Sequence, residues 1–228
     1  MTKPLDRSHI ATGDAVYGIV LPDERFRQLM GHDAWNRLDA PVRARFARKF
    51  CGAASLVYRG MITHMRMHWS GRLLAGLCRI IGAPLPLDPQ TVGCPAVVTV
   101  TEDIAGEGQF WSRAYGRKRG FPQVIHSSKR FAGRTGIEEY VGAGITIALT
   151  VHEEDGAMVF RSAGYRFQIG ALRVSLPQWA LPITVAVEHR DRADGSFEFS
   201  LDVRAPLLGE MIHQQGIFRE AGVGGVIT

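Results

Sequence analysis

From position 95 onward, apolar and polar residues alternate with a period of two, in short runs separated by turn residues. The clearest run is 145–153, which places Ile145, Ile147, Leu149 and Val151 on one face and Thr146, Thr150 and His152 on the other. Similar runs over 96–101, 109–115, 124–130, 157–162, 183–190, 196–204 and 210–219 predict strand after strand. Parity fixes two hairpins. A two-residue loop at Asp155-Gly156 pairs Val151 with Phe160, apolar against apolar, as a type I′ turn requires. At Asp194-Gly195 the same loop would set Val187 against Asp202. Only a three-residue turn, with Gly195 left-handed and forming a bulge, keeps Val185 and Val187 on the side of Phe197, Phe199, Leu201 and Val203.

The first third of the chain has a different period. Pro22, Asp23 and Glu24 open a short helical segment that contains Phe26 and closes at Gly31. Asp39 caps a second helix with Pro41 in its first turn, and Val42, Phe46 and Phe50 form one apolar stripe along it. Residues 56–67 read as a strand with Val57, Met61, Met65 and Met67 on one face and His64, Arg66 and His68 around the other. Ser70 then caps a helix carrying Leu73, Leu74, Leu77, Cys78, Ile80 and Ile81, stopped by Gly82 and Pro84. Its apolar surface is broad for its length, so it is either well buried or a lid. No helices alternate with the strands, which argues against a Rossmann layout. The expected architecture is α+β, mainly antiparallel β: a curved sheet, half-barrel or barrel with a helical N-terminal segment and one short apolar helix near its mouth. We read residues 1–228 as a single domain, with an arm over 1–20, a helical segment over 23–50, a β-rich body over 53–219 and a flexible tail over 220–228.

With 46% hydrophobic residues the chain can bury a sizeable core without disulfides, and Cys51, Cys78 and Cys94 have no paired spacing. No apolar run reaches the roughly 18 residues of a membrane span, and the polar first ten residues lack a signal-peptide core. These features suggest a cytoplasmic protein. The net charge of +5 is uneven: positions 113–134 hold Arg113, Arg117, Lys118, Arg119, Lys129, Arg130 and Arg134 and no acid. Such a run is a solvated hairpin or an anion site. No glycine-rich nucleotide loop, P-loop, HExxH or GxSxG motif is present, so no cofactor is implied. His64 and His68 lack a third ligand at metal-binding spacing, so no metal is implied either.

Taken in order, the segments resemble a bacterial family known as the domain of unknown function 4166. The resemblance runs from about Phe26 to Phe218. It is carried by Leu38 with Pro41-Val-Arg43, Tyr58-Arg59-Gly60-Met61, Trp111 with Arg113, and Ile125-His126-Ser127-Ser128-Lys129-Arg130. Further along, Glu139-Tyr140-Val141-Gly142, Ser162 with Tyr165-Arg166-Phe167, Glu188, Asp194-Gly195 with Phe197, Pro206-Leu207-Leu208-Gly209 and Gly216 continue it. His126 stands where many relatives carry Tyr. The family occurs alone and fused behind saccharopine-dehydrogenase-like reductase domains. That implies a role beside small-molecule or lipid metabolism, with a reductase of the same pathway as a partner, but no reaction.

Three functions remain open. The first is a binding module for a small apolar or acidic molecule. Met61, Met65 and Trp111 would line an apolar cavity, and Arg59, Arg113 or Arg166 would anchor an acidic head group. The second is a cofactor-free isomerase, cyclase or hydrolase on the same frame, with Glu188 and His126 as acid and base and Tyr140 as hydrogen-bond donor. The third and weakest is nucleic-acid binding through 113–134, because Trp111, Tyr115 and Phe121 are few for a stacking surface.

Overall fold

The computed structural model describes residues 18–80 and 85–224. Strands β1 (Ile19–Pro22) and β2 (Arg48–Cys51) pair with each other and enclose three short helices: α1 (Arg25–Met30), α2 (His32–Arg37) and α3 (Ala40–Phe46). β3 (Ser55–Met67) leads into α4 (Trp69–Ile80). Nine further strands follow: β4 (Pro95–Asp103), β5 (Gly108–Tyr115), β6 (Gln123–Arg130), β7 (Ile137–Gly142), β8 (Ile145–Glu154), β9 (Ala157–Ile169), β10 (Leu172–Pro177), β11 (Thr184–Asp191) and β12 (Phe197–Ala205). β13 (Gly209–Gly224) is the last. All pairings are antiparallel, and the order β9-β11-β12-β13-β3-β4-β5-β6-β7-β8 returns to β9, closing a ten-stranded barrel. β10 lies outside the ring, on the C-terminal half of β9, while the N-terminal half of β9 pairs with β11.

Closure relies on five register shifts, in which one residue is left without a partner and the sheet coils more tightly. Each shift reverses which side chains face inward. On β3, Leu56, Tyr58 and Ile62 are buried. One residue is then skipped, because Gln215 pairs with His64 and Gly216 with Ile62, and beyond it Met65 is the buried residue. Unbroken alternation would have grouped Met61 with Met65, but Met61 is exposed. β9 behaves in the same way: Met158, Phe160 and Ser162 are buried before the shift opposite Ala148/Leu149, and Tyr165 after it.

The hairpins obey their parity. Glu154 pairs with Ala157 and Val151 with Phe160, and Asp155 and Gly156 both have positive φ (49° and 80°), as a type I′ turn demands. Val187 pairs with Leu201, and Arg192 N–H donates to Ser196 O (3.1 Å) across a three-residue loop with Gly195 at φ 75°. The β11–β12 register runs without a break, so no bulge enters the ladder.

Several boundaries differ from the sequence expectation. The helical segment over 23–50 is three helices and a strand: α3 ends at Phe46, and Phe50 lies on β2. Val42, Phe46 and Phe50 are nonetheless all buried, because the turn after α3 carries β2 back over the same core. Ser70 lies within α4 rather than at its cap. The tail expected from 220 is part of β13 as far as Gly224, paired with Ser55. The arm over 1–20 lies outside the described residues except for its last three, which reach into β1.

The barrel ends are unlike. At the end holding the 155–156 and 193–195 turns, the N-terminal segment is a plug. Phe26 and Phe46 meet edge-to-face (centroids 5.2 Å), and both reach Phe160 inside the wall (6.0 and 5.7 Å). Asp39 N–H donates to Gly156 O (2.9 Å), fastening the plug to the β8–β9 turn. α4 crosses the opposite end. It lies close on β13 because residue 71 is glycine: a Cβ there would stand 2.1 Å from Met211 O.

Candidate functional site

Ten strands enclose more space than side chains fill, and at the α4 end the barrel keeps a cavity of about 260 Å³. Its wall is apolar: Ile145, Ile147, Val185, Val187, Leu201 and Val203 from the strands, with Leu74 and Cys78 of α4 over the opening. Tyr165 also lines it and is held by donating its hydroxyl hydrogen to Ile183 O. Burial raises the pKa of both the Cys78 thiol and the Tyr165 hydroxyl, so both stay neutral in this wall.

The inner end of the cavity is charged. Arg113 and Glu139 both line it. Arg113 is 7% exposed, and its guanidinium donates to Ser127 Oγ (3.0 Å) and stands 3.5 Å from Glu139 Oε1. Behind them Lys129, only 1% exposed, donates from Nζ to Glu139 Oε2 (3.1 Å). The register explains the grouping. Lys129 and Glu139 are direct partners across β6 and β7, and Arg113 points inward from β5 two residues from Trp111. The rings of Trp111 and Phe160 lie 5.5 and 5.0 Å from the Lys129 ammonium and replace part of its lost hydration.

One carboxylate thus serves two buried cations. Burial alone would push Glu139 up, but Lys129, Arg113 and the Ser127 hydroxyl hold it down at about 2. Burial lowers Lys129 more than Glu139 raises it. Among the described residues no other carboxylate stands within ion-pair distance of Arg113 or Lys129. The surroundings add positive potential rather than relieve it. His189, fully buried against Phe197 and Phe46, has its pKa well below the ordinary value because of burial and then Arg45, Lys129 and Arg113, so it is neutral. His189 Nδ1, Trp111 Nε1 and both amide atoms of Gln214 are buried without a hydrogen-bond partner.

The residues singled out from sequence fall into separate places. Arg113 lines the cavity, but Trp111 and Met65, expected to line it, do not: Trp111 is buried beside Lys129 and Met65 is buried in the core. Arg59 and Met61 are exposed on the barrel exterior, on the part of β3 where even-numbered residues other than Gly60 point in. Arg166 ion-pairs with Glu138, whereas its neighbours Tyr165 and Phe167 line the cavity. Glu188, His126 and Tyr140 do not converge. Glu188 accepts from Arg190 (2.6 Å) on the outer face of β11. The ring of His126, on β6, is exposed and shares a hydrogen bond with Ser112 Oγ of β5 (2.5 Å), although residue 126 also borders the cavity. Tyr140 lies under the Arg130 guanidinium (4.6 Å). β7, β8 and β9 separate β6 from β11.

The basic run divides. Arg113 and Lys129 go inside, Arg130 pairs with the buried Asp103 (2.9 Å) and Arg117 with Asp88 (2.9 Å), all with acids distant in sequence. Sequence reasoning missed Lys129 and Ser127 as site residues. The detectable signal was parity, since Ile125, Ser127 and Lys129 alternate on one face of β6. His64 stacks edge-on to His213 (5.3 Å), which joins Asp202 and Glu210 in a group whose ligand atoms lie within 4.8 Å. Arg204 stands 3.4 Å from both of these acids and Arg66 3.0 Å from Glu210, so guanidinium groups already occupy the place a cation would take.

A family model described as "Domain of unknown function (DUF4166)" matches residues 38–218, from the plug to the end of the barrel's inner wall on β13. No curated protein and no solved structure matches the chain.

Proposed function

The chain belongs to the DUF4166 family, and from its geometry we propose that it binds a small apolar molecule with an acidic head group in the barrel cavity. The observation that carries this reading is the pairing of an apolar wall with an inner end bearing one more buried positive charge than negative. A buried charge without a partner is costly, and a ligand carboxylate or phosphate beside Arg113 would balance it. Arg113 suits the role because its planar guanidinium can hold Glu139 and an incoming oxyanion at once. The volume lies just below the usual range for ligand cavities, which favours a medium-chain or single-ring acid over a long chain. α4 would act as the lid, with Leu74 and Cys78 covering the tail.

Native mass spectrometry of the purified chain, followed by organic extraction, tests this. The expected result is a bound organic acid, lost when the cavity is filled by Val185→Trp. A chain that carries no adduct and takes up no decanoate when it is added would refute the proposal.

A further inference from the structure

α4 carries apolar residues on the side away from the barrel as well as on the side toward it. Ser70, Gly71 and Ala75 are its buried, close-packed side, and Leu74 and Cys78 face the cavity. Trp69, Leu73, Leu77 and Ile80 recur at helical spacing as a third stripe, and all four are exposed, Ile80 at 82%. The loops at the same end add more. Phe121, in the turn between β5 and β6, is 90% exposed; Leu207, between β12 and β13, is 98%; and Trp179, before β11, is 82%. Strand order places these turns together with the start of α4 around the mouth of the cavity. An exposed apolar set of this extent marks an interaction surface.

Its charge identifies the partner. Arg72 and Arg79 flank the stripe on α4, and Arg117, Lys118 and Arg119 precede Phe121, all exposed. The described loops and helix of this end hold one acid, Asp88, which is paired with Arg117; nearby Glu210, at the start of β13, is paired with Arg66 and Arg204. At the plugged end, in contrast, acids and bases are mixed, as in the pairs Arg27–Glu24, Arg37–Glu153 and Arg219–Asp194. Tryptophan, leucine and isoleucine set among basic residues suit the boundary between anionic headgroups and acyl chains. A membrane-crossing role is not needed, and among the described residues no helix is long and apolar enough for one.

We propose that the cavity-mouth end of the barrel docks on the surface of an anionic phospholipid bilayer. The exposed stripe of α4 enters the headgroup–acyl boundary, and the basic residues of α4 and the β5–β6 turn meet lipid phosphates. The cavity then opens toward the bilayer. Docking rests on the outer surface and stands whether or not the cavity binds an acid.

Vesicle co-sedimentation tests the proposal. The chain should bind vesicles of phosphatidylcholine with about one-third phosphatidylglycerol, and bind pure phosphatidylcholine more weakly. Binding should fall as salt rises from about 0.1 to 1 M, over which the screening length shrinks from roughly 10 to 3 Å. Leu73→Gln with Leu77→Gln, which leaves the buried side of α4 intact, should keep the melting temperature and lower vesicle binding by on the order of a hundredfold. Arg113→Met should bind vesicles as the parent does, which separates this proposal from the cavity reading. Absence of vesicle binding, or equal binding by the double variant, would overturn it. So would a dimer that the double variant abolishes in a chain that ignores vesicles, because the stripe would then belong to a second copy.

Discussion

Glu139→Gln should damage this protein far more than Arg113→Met, although the two side chains form one buried group. The substitution to Gln keeps the shape of residue 139 and removes the only anion that faces Lys129 and Arg113 among the described residues. Two cations, 1% and 7% exposed, then remain inside the barrel without a counter-charge. Breaking a buried pair in this way costs about 3–5 kcal/mol. In a chain of this size that lowers the melting temperature by on the order of 10 °C. Arg113→Met instead leaves Lys129 and Glu139 as a one-to-one pair at 3.1 Å. Its loss is the hydrogen bond to Ser127, the longer contact with Glu139 (3.5 Å) and some packing, about 1–2 kcal/mol. Urea unfolding with matched slopes measures both values. The Glu139→Gln deficit should also shrink at alkaline pH, where Lys129, already lowered by burial and now without its anion, can shed its proton. Equal destabilisation by the two substitutions, or a larger effect of Arg113→Met, would refute the account of two cations sharing one carboxylate.

Acid should unfold the chain in two stages. Glu139 holds its folded pKa at about 2 against an ordinary 4.5, so the unfolded chain takes that proton first. The stability contributed by the ionised group, roughly 3 kcal/mol at most, is complete above pH 4.5 and lost as pH falls toward 2. His189, kept neutral well below its ordinary 6.5, begins an earlier loss as pH drops below that value. Urea midpoints across pH should show both stages, and Glu139→Gln should keep only the one from His189. Gly195→Val should cost about 1–2 kcal/mol from backbone strain alone, because its φ is 75° and a Cβ there meets nothing; Gly195→Asn should cost less. Phe46→Ala, which empties the plug, should cost about 3–5 kcal/mol and leave cavity binding intact, by calorimetric titration of the folded variant.

The strand pattern, both hairpin parities and the antiparallel class were legible in the sequence, because Asp-Gly turns and period-two runs are local signals. The phase of β3 was not. The shift that exposes Met61 and buries Met65 arises where β3 coils against β13, and nothing in the composition near Thr63 marks it. β7 was hidden for a related reason: Glu138 and Glu139 look like surface residues, yet Glu139 meets Lys129 on the adjacent β6 and Glu138 meets Arg166 across β8, on β9. Arg113 was recognisable from sequence as a candidate anchor for an acid, but its partner Glu139 lies 26 residues away on another strand. Phe50 shows the converse. Its four-residue spacing from Phe46 mimics a helix, and the chain reaches the same core through a turn and a strand.

Calorimetric titration of decanoate into the parent chain and into Arg113→Met decides whether Arg113 holds the acid group of a ligand in the cavity. The parent should bind saturably and the variant at least tenfold more weakly, since a charge-assisted hydrogen bond is worth about 1.5–3 kcal/mol. Both proteins should melt within a few degrees of each other. Equal affinity in the two proteins would show that the ligand's acid group is not held by Arg113, and would contradict the proposed site.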